Sequence, residues 1–214
     1  MKIDVRTVGL FEENCYLVVD DATGRAVLID PGDDGHRLLE MVRASGATLD
    51  AIWLTHAHID HIGAINDVRR VHPVPVYLHD GDLPYYERLS ARAAEMYGVP
   101  WDQPDIAPLS LVDGAIVSCG SVDFTVMHVP GHAAGHVSFN GHNIALSGDL
   151  LFQGSIGRTD LPLSDPYAMD ASLARFATLP EQTVVYPGHG PTTTIAAELA
   201  SNPFLSGRAR ALKR

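Results

Sequence analysis

The sequence predicts an α/β protein, a four-layer αββα sandwich in which two packed sheets are flanked by helices. Two observations carry this. The first third and the stretch 114–149 are each rich in short strand patterns broken by turn residues, with helical patterns between and after them. Between these stretches, "LDAIWLT" (49–55) is a nearly continuous apolar run, the mark of a strand covered on both faces. A length of 214 residues fits one domain, residues 1–214.

Taken in order, "KIDVRTV", "CYLVVD" and "AVLID" read as strands separated by "DATG" and followed by the turn "PGDDG". "GHRLLEMVRASG" reads as a helix stopped by Gly46. The strand "LDAIWLT" follows, then a helix over "HIGAINDVRRVH", a strand over "VPVYLH" and a helix over "DLPYYERLSARAAEMYG". "VPWDQPDIAPLS" is proline-rich and reads as a surface loop. "GAIVSCGSVDFTVMHVP" predicts a hairpin turning at Gly120, and "HVSFNGHNIALSGD" a second one turning at Asn140-Gly141. A helix over "PYAMDASLARFATL", a strand over "TVVYPGHG" and a helix over "TTTIAAELASN" complete the chain.

Composition narrows the function classes. A net charge of -11 argues against a nucleic-acid face. No apolar run approaches the roughly 20 residues of a membrane span, and the N-terminus lacks the apolar core of a secretory signal, so the expected location is the cytosol. Cys15 and Cys119 are expected as small buried hydrophobes rather than a disulfide framework. The tail "SGRARALKR" carries four of the fifteen basic residues and reads as a solvated terminus, with an anion contact as the alternative.

The chemistry concentrates in "LTHAHIDHIG", where His56, His58, Asp60 and His61 crowd together just after a buried strand. Extended backbone would put His56, His58 and Asp60 on one face. One ion cannot easily use all four groups. Two neighbouring ions can, with His56 and His58 on one and Asp60 and His61 on the other. Three further candidates stand beside glycine at the ends of other strands: His132 in "VPGHAAGH", Asp149 in "ALSGDLLF" and His189 in "VVYPGHGP". Five histidines and two carboxylates without thiolate suit two divalent ions, zinc first, with iron or manganese as alternatives. Paired ions roughly 3.5–4 Å apart make a strong nucleophile of a shared water. His136 reads as a supporting residue rather than a ligand. His36, His72, His79, His128 and His142 read as ordinary core or surface histidines.

"THAHIDH", "PGHAAGH", "SGD" and "PGHG", in that order, resemble the metallo-β-lactamase fold superfamily over nearly the whole chain. "ENCYLV", "LIDPG", "GSIGRTDLP" and "NPFL" are similar to its glyoxalase II-like branch, the hydroxyacylglutathione hydrolases, and in particular to short single-domain bacterial members. The resemblance implies that His56, His58 and His132 bind one metal, that Asp60, His61 and His189 bind the other, and that Asp149 bridges them. It implies hydrolysis of S-D-lactoylglutathione to D-lactate and glutathione by a metal-bridging hydroxide, with Asp60 orienting that hydroxide and accepting its proton. Asp30 is expected either to orient a ligand imidazole or to serve as a turn residue before Pro31. Full-length members carry a further helical domain that holds glutathione. Only 25 residues follow His189, so no such domain is expected and recognition of the small-molecule thioester must differ. Arg158 is a candidate contact for a substrate carboxylate, with a salt bridge to Asp160 as the alternative. Tyr85, Tyr86 and Tyr97 either line a lid or pack on the core. "GSIGRTD" also resembles single-iron persulfide dioxygenases, the rival reading, although "PGHG" departs from their pattern. A lactonase or broad thioesterase is the other alternative, and a non-catalytic metal-binding module is disfavoured because no ligand is missing.

Overall fold

A computed structural model of the chain describes residues 1–98 and 101–211. The strands are β1 (Lys2–Val8), β2 (Glu13–Asp20), β3 (Arg25–Ile29), β4 (Thr48–Trp53), β5 (Val76–His79), β6 (Leu109–Leu111), β7 (Ile116–Cys119), β8 (Val122–His128), β9 (Val137–Gly141), β10 (Ile144–Gly148), β11 (Leu151–Phe152), β12 (Ser155–Ile156), β13 (Val184–Pro187) and β14 (Thr193–Thr194). The helices are α1 (Gly35–Ser45), α2 (Ile59–Ile62), α3 (Ile65–Val71), α4 (Leu83–Tyr86), α5 (Leu89–Tyr97), α6 (Pro166–Phe176) and α7 (Ile195–Ser201). One six-stranded sheet runs β1-β2-β3-β4-β5-β6 and the other β14-β13-β10-β9-β8-β7, with β11 and β12 as a small separate ribbon.

Strand alternation builds the layers. Along β2, Tyr16 and Val18 face the second sheet, while Cys15, Leu17 and Val19 face the helices. In β4, Ala51 and Trp53 point inward and Ile52 points to the helical side. This is why both strands read as continuous apolar runs. Between the sheets Trp53 meets Phe124 and Phe139, with ring centroids 5.8 and 5.2 Å away. Outside the first sheet lie Leu38, Met41 and Val42 of α1 and Ile65 and Val68 of α3. Outside the second lie Met169, Leu173 and Phe176 of α6 and Ile195 of α7. The result is the αββα sandwich. Cys15 and Cys119 are free and buried.

Several local expectations change. The second hairpin turns at His142-Asn143, both left-handed at φ 53° and 59°, and not at Asn140-Gly141. Gly141 instead pairs with Ile144 in the ladder, where a Cβ would come within 2.6 Å of the Asp123 carbonyl oxygen. Close strand approach, not turn geometry, calls for that glycine. The helix read over 61–72 starts earlier and is broken at Gly63-Ala64 into α2 and α3. The one read over 82–98 is a 3-10 turn at Asp80–Asp82 followed by α4 and α5. The end of the proline-rich loop enters the first sheet as β6, and the short strands β11, β12 and β14 carry too few residues to show a period. Tyr85 and Tyr86 are buried in the core. The Tyr97 side chain, residues 99–100 of the loop and residues 212–214 of the basic tail lie outside the described residues.

Trp53 fills the space between the sheets at 2% exposure. Trp53→Ala is expected to cost about 3–5 kcal/mol of unfolding free energy, read as a lowered urea midpoint with an unchanged slope.

Candidate metal centre

The site sits where strands of both sheets end. β4 stops at Trp53, so the alternation expected to align His56, His58 and Asp60 does not reach them. Thr55 to His58 form a loop instead. His58 is extended (φ -69°, ψ 153°) and immediately precedes α2, whose single turn carries Asp60 and His61. From the second sheet, the loop after β8 brings His132, the end of β10 brings Asp149 and the end of β13 brings His189. β10 and β13 pair in parallel, and Gly188 N–H donates to the Gly148 carbonyl at 2.9 Å, which sets Asp149 and His189 side by side.

The predicted residues come together as two clusters. His56, His58 and His132 present ligand atoms within 4.8 Å of one another, and so do Asp60, His61 and His189. Asp149 faces both. Its Oδ2 lies 3.4 Å from His132 Nε2 and 3.6 Å from His189 Nε2, and its Oδ1 lies 3.5 Å from His61 Nε2. Asp60 Oδ2 is 3.4 Å from His189 Nε2. Asp30, His56 and His61 also converge, but both Asp30 oxygens are engaged by Thr55.

Most of the imidazoles are fixed by their far nitrogen. Thr55 Oγ1 donates to Asp30 at 2.6 Å, so it accepts from His56 Nδ1 at 3.0 Å. His61 Nδ1 donates to Asp30 Oδ2 at 3.1 Å, His132 Nδ1 to the Arg158 carbonyl at 2.8 Å, and His189 Nδ1 to the Phe11 carbonyl at 3.0 Å. A proton on each Nδ1 leaves each Nε2 lone pair turned to the centre, the orientation that a metal ligand needs. His58 differs, pointing Nδ1 at His132 Nε2, 2.8 Å away. Asp30 thus touches both His61 and Thr55, and its backbone is left-handed at φ 51°.

Three features fit divalent ions to this cluster. His56 Nε2, His58 Nε2, His61 Nε2 and Asp149 Oδ1 are buried and have no hydrogen-bond partner among the described residues. Such atoms call for a missing partner. Burial holds the His56 and His58 imidazoles well below their usual pKa, which keeps them neutral as ligands must be. Burial opposes charge on His61 too, yet Asp149, Asp60 and Asp30 outweigh it and push that pKa up; at His189 the pull of Asp60 and Asp149 does the same. The carboxylates gathered around these two imidazoles thus favour positive charge at the centre. Lastly, Gly188 leaves a cradle in which a Cβ would come within 2.3 Å of Asp149 Oδ1 and 2.8 Å of His61 Cε1.

Other residues that hold the site escaped sequence reasoning. Asp82 accepts from Ala57 N–H at 2.9 Å and Gly135 N–H at 2.6 Å, tying the two ligand loops together. Asn14 Nδ2 and the Tyr16 hydroxyl donate to the Pro187 carbonyl at 3.2 and 2.6 Å, anchoring the loop of His189. His136 accepts from Asp149 N–H at 3.0 Å and stacks on His56, a supporting role as expected. Asn14 and Tyr16 fall in "ENCYLV", so that motif was visible although the contacts were not. A cavity of about 410 Å³ opens on Asp60, His132, Asp149 and His189, with Arg158 at its wall. Arg158 is bound to Asp160 through Nε and Nη2 at 2.7 and 2.9 Å.

The sequence model of the metallo-beta-lactamase superfamily matches residues 8–189, the span that holds every one of these groups. The chain belongs to the metallo-beta-lactamase superfamily. Hydroxyacylglutathione hydrolase GloC of Haemophilus influenzae is 33% identical over 213 residues, covering 97% of this chain and 100% of that protein. Among solved structures, BLEG-1 B3 metallo-beta-lactamase is similar at a TM-score of 0.90 and 38% identity, covering 96% of this chain and 100% of its own. TTHA1623 in a di-iron-bound form is similar at 0.86 and 45% identity, covering 94% and 100%. As a member of this superfamily the protein is a metal-dependent hydrolase with a histidine-rich divalent-metal site. No helix among the described residues is long and apolar enough to cross a membrane.

Removing Asp149, which faces both clusters, is expected to lower bound metal at both. Elemental analysis of Asp149→Ala should find less than half the metal of the wild type. Gly188→Ala removes no ligand, and its Cβ is expected to displace the Asp149–His61 side by steric contact alone. It should reduce metal content while leaving the circular dichroism spectrum unchanged.

Proposed function

We propose that the protein is a binuclear thioester hydrolase of the glyoxalase II type, cleaving S-D-lactoylglutathione to D-lactate and glutathione. The observation that carries the reading is the position of Asp149, whose two oxygens face both clusters, so that two ions would share one carboxylate. The match to GloC over essentially the full length of both chains supports the choice of substrate.

In this reading His56, His58 and His132 would hold one ion and Asp60, His61 and His189 the other, with the Asp149 carboxylate available to both. Bound divalent ions supply an activated water and a Lewis-acid contact for the thioester carbonyl. Asp60 orients the attacking water and takes its proton. Burial alone would raise the Asp60 pKa, but His61 and His189 outweigh burial and hold it down, so the carboxylate stays ionised and can accept a hydrogen bond from that water. Thr55, Asp30 and the Phe11 and Arg158 carbonyls keep the imidazoles aimed throughout the cycle. Neither cysteine serves as nucleophile: burial pushes both thiols up, and neither Cys15 nor Cys119 lines the cavity. The chain would work as a single cytosolic domain, with zinc as the first choice of metal. The di-iron form of TTHA1623 supports iron as the alternative. Likeness to BLEG-1 favours a second reading, opening of a β-lactam ring by the same centre.

Purified protein is expected to carry about two metals per chain and to hydrolyse S-D-lactoylglutathione in a chelator-sensitive reaction. Asp60→Asn should lower kcat by roughly 10²–10⁴-fold, the usual contribution of a positioned acid–base group. Hydrolysis of a β-lactam without thioester hydrolysis would favour the second reading. One iron per chain with oxygen uptake on glutathione persulfide would replace both.

A further inference from the structure

We propose that Arg92 reads a carboxylate on the thiol half of the substrate, and that the protein therefore selects anionic thioesters over neutral ones. The choice of thioester rests on the function proposed above; the anion site itself rests on the geometry of the cavity.

The cavity has apolar walls that include Phe11, Met96, Phe152 and Leu161. Its floor carries Asp60 and Asp149, and the whole chain has a net charge of -11. An anionic substrate entering such a cavity is repelled unless a fixed cation meets it. The arginines in the lining are Arg92 and Arg158. Arg158 already gives two donors to Asp160, so an incoming carboxylate must compete with that partner. This makes Arg158 the weaker candidate, although the sequence pointed to it.

Arg92 is placed differently. It lies on α5, half-buried, with its guanidinium carbon 3.9 Å from the centroid of the Tyr85 ring. Stacking of this kind, with a side-chain hydrogen bond to Tyr85, fixes the guanidinium while engaging only part of its five donors. The acid on the same helix, Glu95, lies 3.6 Å from Arg88, and among the described residues no carboxylate forms an ion pair with Arg92. Tyr85 is itself immobile. It is 1% exposed, and its hydroxyl donates to the Pro162 carbonyl. The edge of its ring meets His58, with centroids 5.0 Å apart. One aromatic ring thus separates a charged donor from a ligand of the first cluster. The position of the charge relative to the reacting centre is fixed by packing. A tripeptide thiol that carries carboxylates at a distance from its sulfur meets both ends of this arrangement. A neutral thioester meets only the centre.

The test compares wild type, Arg92→Ala and Arg92→Lys on S-lactoylglutathione and on the uncharged lactoyl thioester of N-acetylcysteamine. For Arg92→Ala, KM on the glutathione thioester should rise about tenfold or more, with kcat changed less than about twofold and the neutral thioester hydrolysed as before. Arg92→Lys, which keeps the charge but not the planar fork, should recover part of the affinity. Equal losses on both thioesters, or a fall in kcat alone, would mean that Arg92 merely props Tyr85 and His58, and would overturn the proposal. A binding arm separates this from failure of the thioesterase reading. Calorimetry with S-methylglutathione and its diethyl ester needs no turnover. Tighter binding of the acid than the ester by metal-loaded wild type, lost in Arg92→Ala, supports the anion site even if no thioester is cleaved. Equal binding of acid and ester by the wild type overturns it.

Discussion

A group of buried nitrogen and oxygen atoms faces inward at one edge of the sandwich with no donor or acceptor between them. His56 Nε2, His61 Nε2 and Asp149 Oδ1 are among them. Unpaired polar atoms of this kind cost roughly 1–3 kcal/mol each in a protein interior. Such an arrangement persists only when the surrounding structure leaves the side chains no other orientation. The supporting contacts can be understood as that restraint. Thr55 holds both His56 and Asp30, Asp30 holds His61, and backbone carbonyls hold His132 and His189. Glycine at 188 gives Asp149 and His61 the room to approach.

The same restraint links the two sheets chemically as well as by packing. Away from the site, the sheets meet through Trp53, Phe124 and Phe139. At the site they meet through hydrogen bonds. Asn14 and Tyr16, on a strand of the first sheet, hold the Pro187 carbonyl of the second. Asp82 holds backbone on either side of the centre, at Ala57 and Gly135. Glu13 is an extreme case: it is fully buried, its backbone bridges to His189, its carboxyl comes within 3.8 Å of His61 Nδ1, and burial pushes its pKa well up.

Much of this was legible before any coordinates. The apolar runs of β2 and β4 signalled strands covered on both faces, and their alternation into two different cores explains why they showed no polar period. Four of the seven candidate ligands were visible from their crowding in "THAHIDH", and His132, Asp149 and His189 because each stands beside glycine at the end of an apolar strand pattern. What stayed hidden was decided by tertiary contact. Asn140-Gly141 has the composition of a turn, but the backbone of Asp123 lies too close for any other residue at 141, and the chain turns two residues later. Asp82 and Glu13 look like ordinary surface acids in the sequence, and only folding places them beneath ligand loops. Arg92 had no distinguishing neighbour along the chain, because its partner Tyr85 is on the preceding helix. Short ribbons such as β11–β12 are too brief for a pattern to exist.

The division of the cluster between the sheets bears on how the chain acquires its site. His56, His58, Asp60 and His61 come from the first sheet's half of the chain, while His132, Asp149 and His189 come from the second. A nascent chain that has emerged only as far as β6 carries four of these seven side chains and still lacks His132, Asp149 and His189. The full cluster therefore exists only once the last strands have docked. Completion of the sandwich and completion of the cluster are then one event, which ties the site to the folded state of both sheets at once.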